Sequence, residues 1–215
     1  MIRLIPPHAG QPVARVGVPL EAARAAVIMI HGRGASPENI LELVPAIEHP
    51  HVAYLAPAAA GGTWYPLNFM APIERNEPGI TSGIAVVHSL IEEALAAGVR
   101  ADHVVLLGFS QGACLASTAA QRRPDRYGAV LIFSGGLIGP PGSVWSENGG
   151  FHSTPVFLGC SDRDPHVPES RVHETAALFE RMRAEVTTRI YPAMGHLVSD
   201  DEIAVARGFL ARLAF

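Results

Sequence analysis

The 215-residue chain contains no lysine; all sixteen of its cations are arginines. Against twenty acidic residues the formal net charge is −4, which is no footprint for nucleic acid. We read the missing lysine as the compositional bias of a GC-rich genome rather than as chemistry. Cysteine is scarce too. Cys114 and Cys160 are too few for a disulfide framework, and both lie in apolar segments where buried reduced thiols are expected. Long hydrophobic runs are also missing: the longest span about six residues, far short of the ~20 that cross a bilayer. Residues 1–10 hold two prolines and no apolar stretch of signal-peptide length. The expectation is a cytoplasmic protein without a membrane span. Charged residues at 17% and hydrophobic residues at 48% exclude a disordered chain, and the length suits one domain over residues 1–215.

Among what is present, Gly108-Phe109-Ser110-Gln111-Gly112 stands out. It follows the apolar run 104–107 and precedes the small-residue run 113–120. A serine on so tight a strand-to-helix turn must adopt strained backbone angles, and glycines two positions either side let the strand and helix approach closely enough to hold it. The result is an exposed hydroxyl at the carboxyl end of a strand, beside the backbone N–H groups of a helix start.

Strand-like runs alternate with helix-period stretches along the whole chain. Residues 27–30, 104–107, 129–133 and 156–158 read as buried strands, and 52–55 and 187–191 as further strands. Helices are predicted from Ser36-Pro37-Glu38, over 79–97, 113–121, about 169–183 and 200–213. Ile80, Ile84, Val87, Ile91 and Leu95 mark the inner face of the longest, which ends at Gly98. The fold class is therefore α/β, a mostly parallel central sheet with helices on both faces and no room for a separate lid domain. Ligands bind along the carboxyl edge of such a sheet. Two long connections, 56–78 and 134–154, leave that edge, so both are expected over the serine.

A serine needs a base, and the base needs a third group to fix its tautomer. After the run 156–158 come Asp162 and Asp164; after 187–191 comes Gly195-His196. Asp164 is favoured as the acid because the following Pro165 holds it extended, with Asp162 as runner-up. Asp200 and Asp201 read as helix caps. His31 is expected to brace its loop, and His8, His49, His51, His88, His103, His152 and His173 to be solvated or to fill space. His49-Pro50-His51 lacks a nearby third ligand, so no metal is expected. The oxyanion formed on attack should meet the backbone N–H groups of Gln111 and Arg33.

With these residues in place the chain resembles the phospholipase/carboxylesterase family of α/β-hydrolases, which includes the acyl-protein thioesterases. The resemblance rests on His31-Gly32-x-Gly34, Trp64-Tyr65, Gly108-Phe109-Ser110-Gln111-Gly112-Ala113, Asp164-Pro165-x-Val167-Pro168 and Gly195-His196. It covers almost the entire chain. It implies Ser110, Asp164 and His196 as a triad, Arg33 and Gln111 as oxyanion donors, no cofactor and, frequently, a homodimer. Three positions depart from the family pattern: Arg33, the Pro66-Leu67-Asn68 segment and His166.

The expected activity is a serine carboxylesterase acting on small-molecule esters with short to medium, or aromatic, acyl groups. Gly32, Trp64, Tyr65, Leu67, Phe69, Met70, His166 and Val167 are the expected substrate-binding residues, bordering a shallow pocket. A thioesterase or lysophospholipase of the same family is the alternative. A non-catalytic binding homologue and a dienelactone-type hydrolase or lyase are more distant ones. If Arg33 pairs with a carboxylate-bearing substrate, Arg33→Leu should hurt anionic esters selectively.

Overall fold

The computed structural model describes residues 2–213. Seven strands form one sheet: β1 (Val13–Gly17), β2 (Ala25–Ile30), β3 (Val52–Pro57), β4 (Val104–Phe109), β5 (Ala129–Phe133), β6 (Pro155–Ser161) and β7 (Glu185–Tyr191). Their order is β1-β3-β2-β4-β5-β6-β7, and every pairing is parallel except β1 with β3. The six helices are α1 (Pro37–Leu41), α2 (Val44–Ile47), α3 (Gly79–Ala96), α4 (Gln111–Arg122), α5 (Glu169–Arg181) and α6 (Asp200–Arg212).

Alternate residues of each central strand feed opposite faces. Ala26, Ile28 and Ile30 of β2 belong to the apolar layer that includes α3, α4 and α5, whereas Ala25, Val27 and Met29 belong to the opposite layer with α1, α2 and α6. A strand covered on both faces reads as a continuous apolar run, which is why β2 to β5 were legible. The antiparallel edge strand β1 was not. Its VARVG sequence is only half-buried, and its outer residues face solvent.

Helix α3 is apolar enough over 18 residues, with a mean hydropathy of 1.2, to reach the length and composition of a membrane span. Its apolar stripe is spent on the core instead: Ile80, Ile84, Val87, Leu90 and Ile91 are buried against the sheet and α4.

His31 bonds within its loop and to the next connection, and His8 and His88, expected to be solvated or to fill space, are buried or half-buried hydrogen-bonding elements. His31 Nε2 accepts from Ala59 N–H while Nδ1–H donates to Gly32 O. His8 accepts from Ala60 N–H and donates to Trp64 O. His88 donates to Ala119 O. Burial lowers the pKa of all three, against the raising effect of their carbonyl partners.

The start of α6 holds a buried acid. Ser199 caps the helix, and Glu202 reaches back to its N–H at 2.7 Å. The Glu202 carboxyl fills the space where a Cβ on Gly159 would stand, and its Oε1 has no hydrogen-bond partner. Burial, the largest influence, pushes Glu202 up to about 7 despite the bonds from Ser199. Because the folded value lies above that of the unfolded chain, this group's stabilisation is present at acid pH and lost as pH rises through about 7. Glu202→Gln keeps the capping partner without the charge. The variant's Tm should therefore gain on the wild type between pH 5 and pH 8, and an equal difference at both would contradict the assignment.

Candidate active site

The turn after β4 sets the site. Ser110 has φ 56° and ψ −121°, a conformation that L side chains rarely adopt. Its neighbours leave no alternative. A Cβ on Gly108 would sit 2.4 Å from Gly112 O, and a Cβ on Gly112 would sit 2.1 Å from Ile30 O. Ser110 N–H is fixed to Phe133 O at 2.9 Å, and Ser110 O accepts from Cys114 N–H at 3.0 Å. Helix α4 begins at Gln111, two residues earlier than the sequence pattern suggested, so the serine passes straight into it.

Two later strands bring the partners. His196 Nε2 lies 2.8 Å from Ser110 Oγ, and His196 Nδ1 lies 2.7 Å from Asp164 Oδ2. The Asp164 side chain is fully buried, and its second oxygen accepts from His166 N–H at 2.8 Å and Val167 N–H at 3.0 Å. Burial alone would raise this carboxyl. The bond from His196 and the two backbone N–H groups together outweigh it, and its pKa falls below the ordinary value. A hydroxyl within hydrogen-bond reach of an imidazole that is itself held by an ionised carboxylate can pass its proton to that ring.

Asp162, the runner-up acid, does other work. Its Oδ1 accepts from Ala193 N–H at 2.7 Å, while Ser161 Oγ accepts from Gly195 N–H at 3.1 Å. These two side chains, at the end of β6 and just beyond it, hold the turn that carries His196. Ala193 and Gly195 both have positive φ in that turn. The imidazole is flanked by Phe109 and His166, with centroids at 5.0 and 4.8 Å.

The loop after β2 closes the other side. A Cβ on Gly32 would meet Ser110 Cβ at 3.4 Å, so the Gly32–Arg33 backbone lies against the serine. No turn or cap takes up the N–H of Arg33 or of Gln111 among the described residues. The Arg33 guanidinium turns away from the serine. It donates to Thr63 Oγ1, Pro66 O and Leu67 O at 3.0, 2.9 and 2.6 Å and lies over the Tyr65 ring.

A cavity of about 330 Å³ opens at Ser110. Of the expected substrate-binding residues, Gly32, Tyr65, Phe69, His166 and Val167 line it, together with Arg33, Asn68, Phe109 and Cys114. Trp64, Leu67 and Met70 do not. Trp64 is wholly buried, its indole N–H spent on His31 O and its ring packed against His8 and His31. Leu67 is held through its backbone by Asn76 and Arg33, and Met70 packs into the core. The connection 134–154 contributes no lining residue either. It supports the wall from behind. Buried Arg171 donates to Leu137 O and Gly139 O, and its guanidinium stacks on Phe69 and Trp145. Nothing in the spacing of α5 marked this arginine. It reads as a solvated helix position until the fold covers it.

Gln111 ties the wall to the turn. Its Oε1 accepts from Trp64 N–H and Thr63 Oγ1–H, and its Nε2–H donates to Tyr65 O at 2.8 Å.

The sequence profile of the phospholipase/carboxylesterase family matches residues 11–214. Acyl-protein thioesterase 1 of Kluyveromyces lactis is 27% identical over 219 residues, covering 92% of this chain and 96% of its own. A probable carboxylesterase of Oryza sativa subsp. japonica is 24% identical, covering 86% of each chain. Among solved structures, a phospholipase/carboxylesterase from Dyadobacter fermentans superposes with TM-score 0.91 at 36% identity, covering 98% of this chain and all of its own.

Gln111→Ala keeps the backbone N–H while removing the side chain's three bonds. It should cost about 1–3 kcal/mol and lower Tm by roughly 2–12 °C. A shift below about 1 °C in thermal unfolding would show that those bonds hold nothing.

Proposed function

The chain belongs to the phospholipase/carboxylesterase family of α/β-hydrolases, and from that premise we propose that it is a serine hydrolase of carboxylic esters. The observation that carries this reading is His196 set between Ser110 Oγ at 2.8 Å and the buried Asp164 carboxylate at 2.7 Å.

Ser110 Oγ attacks the ester carbonyl while His196 Nε2 takes its proton. The oxyanion is met by the N–H groups of Arg33 and Gln111, each worth about 3 kcal/mol to a transition state of this kind. His196 then returns the proton to the departing alcohol. Water enters by the same base and releases the acid. Asp164 stays ionised throughout and steadies the imidazolium. The cavity of about 330 Å³ suits short to medium or aromatic acyl groups. One domain over residues 1–215 would carry the whole reaction. A reducing, cytoplasmic setting fits Cys114 and Cys160, both free and buried. The same machinery would also cleave a thioester, the reading favoured by the relatives named acyl-protein thioesterase 1. Comparing kcat/KM for matched oxygen and thiol esters separates the two.

Asp164→Asn should lower kcat on a p-nitrophenyl ester by about 10⁴, because the imidazole loses its orienting anion. A loss under about tenfold would remove Asp164 from the proposed mechanism. The histidine base must be neutral to accept a proton, so kcat/KM should fall as the solution is acidified. A profile flat from about pH 5 to pH 9 would contradict a histidine base. Because the Arg33 guanidinium is committed to Thr63, Pro66 and Leu67, Arg33→Leu should reduce turnover of neutral and anionic esters alike. A loss confined to anionic esters would show instead that the guanidinium reaches the substrate.

A further inference from the structure

The two edges of the sheet are finished differently. Strand β1 is five residues long, flanked by Pro12 and Pro19, and its Arg15 is paired with Glu93. Short strands and prolines of this kind blunt an edge against further pairing. Strand β7 runs for seven residues with no proline, in unbroken register with β6. Glu185 N–H donates to Thr154 O, and Tyr191 O accepts from Asp162 N–H. Residues 185, 187, 189 and 191 therefore turn their backbone groups toward β6. Those of Val186, Thr188 and Ile190 point off the sheet and meet no backbone partner among the described residues.

The side chains along this edge are sorted by charge. Val186 and Ile190 pack into the layer of α5, so Glu185, Thr187 and Arg189 share the α6 face. There Thr187 and Arg189 line a groove of about 360 Å³ with Ala204, Gly208 and Arg212 of α6. Ala204 and Gly208 are exposed and small, so they put no bulk beside the edge. The one acid of the groove, Asp201, is taken up by Arg189 and the Tyr191 hydroxyl. Arg212 lies over Phe209 and has no carboxylate partner among the described residues. The groove thus holds two cations against one anion. Glu185, exposed at the start of the strand, forms no ion pair among the described residues.

We propose that β7 joins two copies of this chain, the strands pairing antiparallel about a two-fold axis at Thr187 so that one sheet runs through the dimer. Val186 of each copy then bonds Thr188 of the other, and Thr187 faces its own counterpart. Glu185 of each copy stands opposite Arg189 of the other, bringing a carboxylate to a groove with positive charge to spare. Opposite charges directly across an antiparallel pair stabilise it, and like charges do the reverse. An axis at Thr188 separates Glu185 from Arg189, and one at Arg189 sets that cation against itself. The charges select the register as well as the partner. This inference goes beyond the hydrolase reading and stands whether or not the chain cleaves esters.

Sedimentation equilibrium of the wild type should give twice the chain mass at micromolar concentration. Glu185→Arg sets arginine against arginine at both ends of the contact and should raise the dimer dissociation constant by about tenfold or more. Arg189→Glu should do the same. Combining the two swaps should bring the constant back to within about threefold of the wild type. The register has its own test. Mild oxidation of Thr187→Cys should link two chains, because side chains facing each other in such a pair stand about 4.5–5.5 Å apart at Cβ. Glu185→Cys should stay unlinked, its counterpart being about 14 Å away along the paired strands. Cys114 and Cys160 are buried and do not compete. A wild type that stays at the mass of one chain overturns the proposal, and so does a dimer that the swaps leave unchanged. A loss that the double swap fails to reverse, or a link at Glu185→Cys and none at Thr187→Cys, overturns the pairing. Where a swapped strand fails to fold, the outcome at Thr187→Cys decides.

Discussion

The structure depends on one steric constraint: a serine held at positive φ between two glycines that have no room for a Cβ. Gly108 is pressed against the first turn of α4, and Gly112 against the carbonyl of Ile30 on the neighbouring strand. This close approach places the Ser110 hydroxyl above the sheet edge, and it draws the Gly32–Arg33 backbone alongside. The strain at Ser110 is tolerated because strand, helix and the bond to Phe133 O over-determine the turn. Relaxing the turn would move the hydroxyl off the imidazole, since hydrogen bonds of 2.7–2.8 Å leave little play.

Around that turn the wall is assembled from main-chain oxygens gathered by a few side chains. Gln111 and Arg33 hold 63–67, and Arg171 holds 137–140 and backs Phe69. Ser161 and Asp162 hold the turn before His196. Each of these side chains fixes backbone carbonyls or N–H groups that irregular loops would otherwise leave to water. The two long connections are therefore unequal: one lines the cavity and the other buttresses it.

What was legible in the sequence follows the same physics. Strands covered on both faces announce themselves as continuous apolar runs, and the turn glycines as steric necessities, so the sheet and the positions of Ser110, Asp164 and His196 could be read directly. The one-sided β1 carries a weaker signal. Trp64, Leu67 and Met70 were expected at the pocket because an aromatic or aliphatic residue in a loop reads the same whether it faces a ligand or the core. Only the bond of the Trp64 indole to His31 O, seen once the chain is folded, separates the two. Arg171 was invisible for the opposite reason, since an arginine on an amphipathic helix looks solvated until loop carbonyls close over it.

The central claim is that this turn makes Ser110, alone among the serines, an activated nucleophile. The direct measurement is intact-mass and peptide analysis after treatment with a fluorophosphonate at neutral pH. One adduct per chain, located on Ser110 and lost in His196→Ala, is the predicted result. An unmodified Ser110, or modification spread over other serines, would contradict it.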